Sequence, residues 1–235
     1  MTVALISAKI WNEGGRDVEL DAGRDKFVRP AATIGRHPSV FLFDPRPIWR
    51  AIGGRPDLID LHEEPNALAT AEVLLIRWLR RSHAPYVLYS AQNIEKRYPV
   101  PFRWFERASL RSASAAYVCN QAAGDILTRK GLAGPAVLIP LGVDLRMFEP
   151  AERGVPGAKK IVGYVGRLEA HKGADVLIRA AASRPDWEVR LTGDGPERSA
   201  LERLTAELEI TDRVHFLGHA SEDALASRYR ELDAL

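Results

Sequence analysis

The chain has 235 residues, 46% of them hydrophobic, which is enough for one large core or two small ones and excludes a disordered chain. Lys and Arg total 33 against 31 Asp and Glu, and a net charge of +2 excludes nucleic acid as the default partner while leaving acidic small molecules open. The single Cys119 rules out an internal disulfide and reads as a small buried residue in a reducing cytoplasm.

The apolar opening Val3–Ile6 stops at Lys9, has no basic leader and is far too short for a signal peptide or a membrane span, so it predicts a strand. Ile10–Gly15 looks like a later strand of the first domain. Then strand-like and helical patterns alternate: strand Asp57–Leu61, helix Ala67–Arg81, strand Tyr86–Tyr89, helix Phe102–Ala113, strand Ala116–Cys119, helix Gln121–Lys130 and strand Ala136–Ile139. Glu149–Gly157 is poor in apolar residues and reads as a linker. The domains are therefore 1–148 and 159–235, joined by 149–158.

Beyond the linker the pattern is βαβαβ with a parallel sheet: Ile161–Val165, helix Ala174–Ser183, Trp187–Leu191, helix Pro196–Glu209 and Val214–Leu217. The helix after Gly195 is the best specified, because proline suits a first helical position and Leu201, Leu204 and Leu208 fall on one face. A fourth strand would begin at Asp233–Leu235. An open doubly wound sheet normally has about five or six strands, so the second domain is expected to be incomplete.

Three strand exits in this half carry glycine. Gly163–Gly173 runs from strand to loop to helix and holds two cations, Arg167 and Lys172. A strand's carboxyl end followed by a helix amino terminus offers free N–H groups and partial positive charge, which suits a diphosphate. Solvated surface charge beside an ordinary turn is the bland alternative. The next strand ends in Thr192–Pro196, where Gly193 and Gly195 make a tight turn at the same sheet edge. It lacks the third glycine of the dinucleotide fingerprint. The third strand ends in Gly218-His219, offering a backbone contact to a nucleotide, although His219 reads equally well as an exposed loop residue.

Taken in order, Ile139–Asp144 with Phe148 and Pro150, Val165–Leu168 with His171–Gly173, Gly193–Pro196 and Val214–Gly218 resemble glycosyltransferase family 4. The resemblance covers about residues 85 to 235 well and the earlier part loosely. It implies an α/β, GT-B fold, two Rossmann-like parallel-sheet domains facing a cleft. It also implies retaining transfer from a nucleotide-diphosphate sugar to a glycan or lipid-linked acceptor, with no obligatory metal and no cofactor besides that donor. Arg167 and Lys172 match the pair that holds the donor diphosphate, with Gly166, Gly193, Gly195, Gly218 and His219 around the nucleotide. The family's pair of donor-binding glutamates lies beyond a fourth strand and has no counterpart here. Its opening strand and glycine-rich loop also lack one, so a βα unit of about 30 residues is expected to be absent.

In the first domain, His62, Glu63 and Glu64 stand at a strand's carboxyl end. His62 is a candidate catalytic group and Glu63 a substrate contact, against the alternative of a satisfied loop histidine. Asn66 stands where a zinc helix would need a second histidine and Pro65 interrupts the turn, so no metal is expected. Asn93, with Gln92, ends the next strand and suits sugar hydroxyls, though turn-forming amides explain both nearly as well. Arg103, Arg107 and Arg111 give Pro101–Arg111 a basic face that suits peripheral contact with an anionic membrane, while Trp104 and Phe105 read as packing residues. The rival classes are a non-catalytic nucleotide-sugar-binding or accessory protein and a dinucleotide enzyme, the latter disfavoured by the missing fingerprint.

Overall fold

The computed structural model describes residues 2–13, 16–20, 23, 25–35, 37, 39–148 and 159–235. The chain divides into two compact units, Met1–Leu141 and Gly142–Leu235. The linker expected at 149–158 lies outside the described residues.

The first unit opens with β1 (Leu5–Ala8), β2 (Ile10–Glu13), β3 (Arg16–Glu19), β4 (Val28–Ala31), β5 (Thr33–Ile34), β6 (Leu42–Phe43) and α1 (Pro45–Gly53). It continues through β7 (Ile59–Leu61), α2 (Leu68–Leu79), β8 (Tyr86–Ser90), α3 (Phe102–Ser112), β9 (Ala115–Val118), α4 (Gln121–Arg129) and β10 (Ala136–Leu138). The last four strands form one parallel sheet in the order β10-β9-β8-β7. The strand expected at Val3–Ile6 begins at Leu5 and pairs in parallel with β4. Ile10 does start a strand, but β2 pairs antiparallel with β3 in a two-stranded ribbon of its own.

Alternation along β8 shows how this sheet is built: Tyr86, Leu88 and Ser90 are buried, whereas Val87 and Tyr89 are half-buried. The buried face packs with Leu61, Leu110, Val118 and Leu127 into one core. The Tyr86 hydroxyl donates to the Ser109 carbonyl at 2.6 Å. Beside this core the Lys130 ammonium meets the Glu106 carboxylate at 2.6 Å, with both side chains almost out of solvent. On α3 the inward residues are Glu106, Ser109 and Leu110. Trp104, expected to pack, is 59% exposed and stands with Arg103, Arg107 and Arg111 on the outer face, because helical periodicity assigns it there. Cys119, just past β9, is half-buried.

The second unit contains β11 (Lys160–Val165), a 3-10 turn at Ala170–Lys172, α5 (Ala174–Ala182), β12 (Trp187–Thr192), α6 (Arg198–Glu207), β13 (Val214–Gly218) and α7 (Glu222–Arg230). Its three strands are parallel in sequence order. After α7 the chain returns to β11: Ala234 bridges Val162 in parallel, and the Gly163 amide donates to the Ala234 carbonyl at 2.8 Å. The spatial order is therefore β13, β12, β11, then Ala234, so the strand order reverses direction beside β11. Leu168, Ile178, Val189 and Leu191 are fully buried between sheet and helices. The helix expected from Pro196 starts at Arg198, Pro196 lying in the preceding turn, and Leu201 and Leu204 are buried as the apolar stripe required.

Candidate functional site

At the carboxyl ends of β11, β12 and β13 the three exit loops are bonded main chain to main chain. The Gly166 amide donates to the Thr192 carbonyl at 3.0 Å, Leu168 to Asp194 at 2.9 Å and Gly193 to Gly218 at 2.8 Å, and Glu197 closes the set on Leu168 at 3.1 Å. This approach needs glycine. Gly193 sits at φ +139°, and a Cβ there would overlap the Gly166 carbonyl oxygen. A Cβ on Gly195 would overlap the Leu168 carbonyl. Gly166, Gly193, Gly195 and Gly218, expected from the sequence as a nucleotide-facing set, are thus brought together by their own backbones.

Arg167 leads out of β11, its carbonyl held by the Tyr164 hydroxyl at 2.7 Å. Its guanidinium does not stand alone, since Nη1 lies 2.9 Å from Glu169 Oε1. The other Glu169 oxygen is 3.4 Å from His171 Nδ1. Lys172, on the 3-10 turn before α5, is exposed and has no ion pair among the described residues. His219 is likewise exposed and makes no side-chain hydrogen bond among the described residues. A third cation was not foreseen: Arg198, at the start of α6, lies against Gly218 and pairs with Glu202 at 2.9 Å. Its only sequence signal is its place three residues after Gly195. Backbone amides, the α5 amino terminus and these cations together suit a polyanion.

In the first unit the strand ends are joined by side chains. His62, past the end of β7, stacks on Tyr89 with ring centroids 4.2 Å apart and planes 9° from parallel. Its Nδ1 is 2.9 Å from the Tyr117 hydroxyl, which donates to Asp60 Oδ1, also at 2.9 Å. Neither Asp60, Tyr89 nor Tyr117 was singled out in the sequence. Glu64 receives the Ser90 hydroxyl at 2.7 Å and the Ala91 amide at 2.9 Å, tying the β8 exit to the β7 exit. Burial, helped by the Glu64 charge, pushes the Glu63 carboxyl up to about 7. Asn93 is exposed with its amide uncommitted among the described residues, whereas the Gln92 amide is used locally on the Ile94 carbonyl at 2.9 Å. Among the described residues no cluster of His, Cys, Asp or Glu is arranged to hold a metal ion, and no helix is long and apolar enough to cross a membrane.

The family model described as Glycosyltransferase Family 4 matches residues 8–146, and the one described as Glycosyl transferases group 1 matches 146–235. The chain is 42% identical over 105 residues to the D-inositol 3-phosphate glycosyltransferase of Mycolicibacterium smegmatis, a match covering 39% of this chain and 24% of that protein. Among solved structures, Anabaena Alr3699/HepE in complex with UDP matches with a TM-score of 0.64 at 20% identity, covering 79% of this chain and 54% of that one. The same protein was also solved with UDP-glucose and with UDP and glucose. Sucrose-phosphate synthase from Thermosynechococcus elongatus matches with a TM-score of 0.60 at 24% identity, covering 80% and 53%. These likenesses show the GT-B fold. The matches span about a quarter of the curated relative's length and about half that of the solved neighbours.

Proposed function

The chain belongs to glycosyltransferase family 4, and from that premise we propose that it serves retaining sugar transfer from a nucleoside-diphosphate sugar to a glycan or lipid-linked acceptor. The observation that carries this reading is the joined set of loops at the carboxyl ends of β11, β12 and β13, beside the point where Ala234 reverses the strand order. Ligands of open α/β sheets bind outside the strand ends at such a switch point. Arg167 and Lys172 hold the diphosphate there, and Arg198 adds charge at the edge. As the bond to the sugar breaks, negative charge collects on the departing diphosphate, and cations fixed in place stabilise it without a metal. The UDP and UDP-glucose bound by Alr3699/HepE support a uridine nucleotide as the first donor to try.

His62, Glu63 and Asn93 form the sugar-facing side of the reading. With its carboxyl pushed up to about 7, Glu63 is protonated in a substantial fraction of molecules near neutrality and can then donate as well as accept a hydrogen bond. The outer face of α3, with Trp104 beside Arg103, Arg107 and Arg111, supports peripheral contact with an anionic membrane that carries the acceptor. Sedimentation with anionic vesicles tests that contact, and the double substitution Arg103→Ala and Arg107→Ala is expected to release the chain.

The deciding experiment is isothermal titration with UDP and GDP. Wild type is expected to bind, and Arg167→Ala and Lys172→Ala each to weaken binding by about 10- to 100-fold, because hydrogen bonds to charged groups contribute about 1.5–3 kcal/mol. Unchanged affinity in both variants would remove the diphosphate assignment.

A further inference from the structure

The strand alternation of the first unit places Asp60, His62, Tyr89 and Tyr117 on one face of the sheet, opposite the buried Leu61, Leu88 and Val118. In register Tyr89 lies beside Tyr117, while Asp60 lies one pleat earlier beside Val87. Side chains from three strands therefore meet at the β7 exit.

The Tyr117 hydroxyl has a single hydrogen and two neighbours at 2.9 Å, Asp60 Oδ1 and His62 Nδ1. A carboxylate only accepts, so the hydrogen must point to Asp60. The reverse arrangement would set two oxygens face to face with no proton between them. Burial, reinforced by the bond to Asp60, holds the phenol well above its usual range, which keeps that hydrogen in place. The Tyr117 oxygen is then an acceptor, and the group facing it, His62 Nδ1, has to be the donor. A neutral imidazole has one ring proton. With it on Nδ1, the lone pair is left on Nε2, which has no partner among the described residues. Stacking on Tyr89 fixes the ring plane.

We propose that Asp60 and Tyr117 are positioning residues that hold His62 as its Nδ1–H tautomer, so that Nε2 accepts a hydrogen bond from a sugar hydroxyl. This rests on the reading of His62 as a sugar contact. The hydrogen bond made at one ring nitrogen decides which of the two carries the proton, so the relay sets the tautomer. Asp60 and Tyr117 are 57 residues apart in sequence, and the relay is a tertiary arrangement.

The test is a 1H–15N correlation spectrum of the imidazole nitrogens in the labelled chain at about pH 8, where histidine is neutral, with the His62 signals identified by their loss in His62→Gln. The expected spectrum has the proton on Nδ1 and a bare Nε2 in wild type. In Tyr117→Phe, which keeps the ring and removes only the oxygen, the proton moves to Nε2. Adding glucose should shift the wild-type Nε2 resonance and bind about 3- to 10-fold more weakly to Tyr117→Phe, the range expected for one neutral hydrogen bond. A wild-type Nε2–H, or a tautomer indifferent to Tyr117→Phe, overturns the relay. An Nε2 signal that glucose leaves unmoved overturns the sugar contact. UDP titration of the same samples reports the diphosphate site separately, so retained UDP binding with the wrong tautomer removes this inference alone. Lost UDP binding with the right tautomer removes the donor reading alone.

Discussion

The two units close their strand ends by different means. In the second unit the loops after β11, β12 and β13 are joined by amides and carbonyls, so closely at Gly193 and Gly195 that a Cβ would overlap the facing backbone. In the first unit the exits of β7, β8 and β9 are joined by two carboxylates, two hydroxyls and an imidazole. A backbone-joined edge presents the same surface whatever side chains surround it, which suits a ligand part common to many donors. An edge joined by side chains changes its chemistry with each substitution, and it suits the part of a reaction in which relatives differ.

The comparison predicts where each unit breaks. The largest effect is expected in the first, for Lys130→Met, which leaves Glu106 buried without its partner; breaking a buried pair this way costs about 3–5 kcal/mol in urea unfolding. Next comes Gly193→Ala in the second unit, at about 2–3 kcal/mol, read as lost hydrogen-exchange protection at the β12 amides. Gly142→Ala, with nothing within 4 Å of the added carbon, should stay within about 0.5 kcal/mol. Equal costs at the two glycines would mean that the close approach of the loops is not what Gly193 serves. Tyr117→Phe should cost about 1–3 kcal/mol, since the bond to the Asp60 carboxylate and the bond from His62 are both lost while ring packing remains.

The smallest effect is a slope. Glu63 has a raised folded-state pKa, so its contribution is fully present below the unfolded carboxyl range and is lost as pH rises towards about 7. Glu63→Gln should flatten the decline of stability between about pH 4.5 and 7. An unchanged slope would show that the carboxyl is better solvated than its position beside Glu64 implies.

The same contrast governs what could be read in the sequence. The glycine-joined edge was legible because a close backbone approach has one residue type that permits it, as at Gly193 and Gly195, with Gly166 and Gly218 at the neighbouring strand exits. His62 and Glu63 were legible by their place after a strand. Asp60 and Tyr117 were not, since each is an ordinary strand residue until the register of β7, β8 and β9 is known. Before residue 54 the strands at Leu5 and Ile10 were legible, whereas β3 to β6 and α1 were silent. Pro45 and Pro47 look like breakers, yet they occupy the first turn of α1, where proline is tolerated, behind the Asp44 cap. Pro30 sits in β4, whose ladder has one partner among the described residues and so spares the missing amide.

Glu169 gives the second unit a property of its own. Its carboxylate already occupies the Arg167 guanidinium and lies beside His171. Being tethered two residues away, it competes at a high local concentration with any anion in solution. A chloride or a lone carboxylate exchanges one weak partner for another and gains little. On the proposed donor reading a diphosphate brings several oxygens, and it would reach the backbone amides and Lys172 in the same event. Under that proposal, binding at this loop would be an exchange of counter-ions, with the resident carboxylate setting a threshold that favours ligands of high charge density.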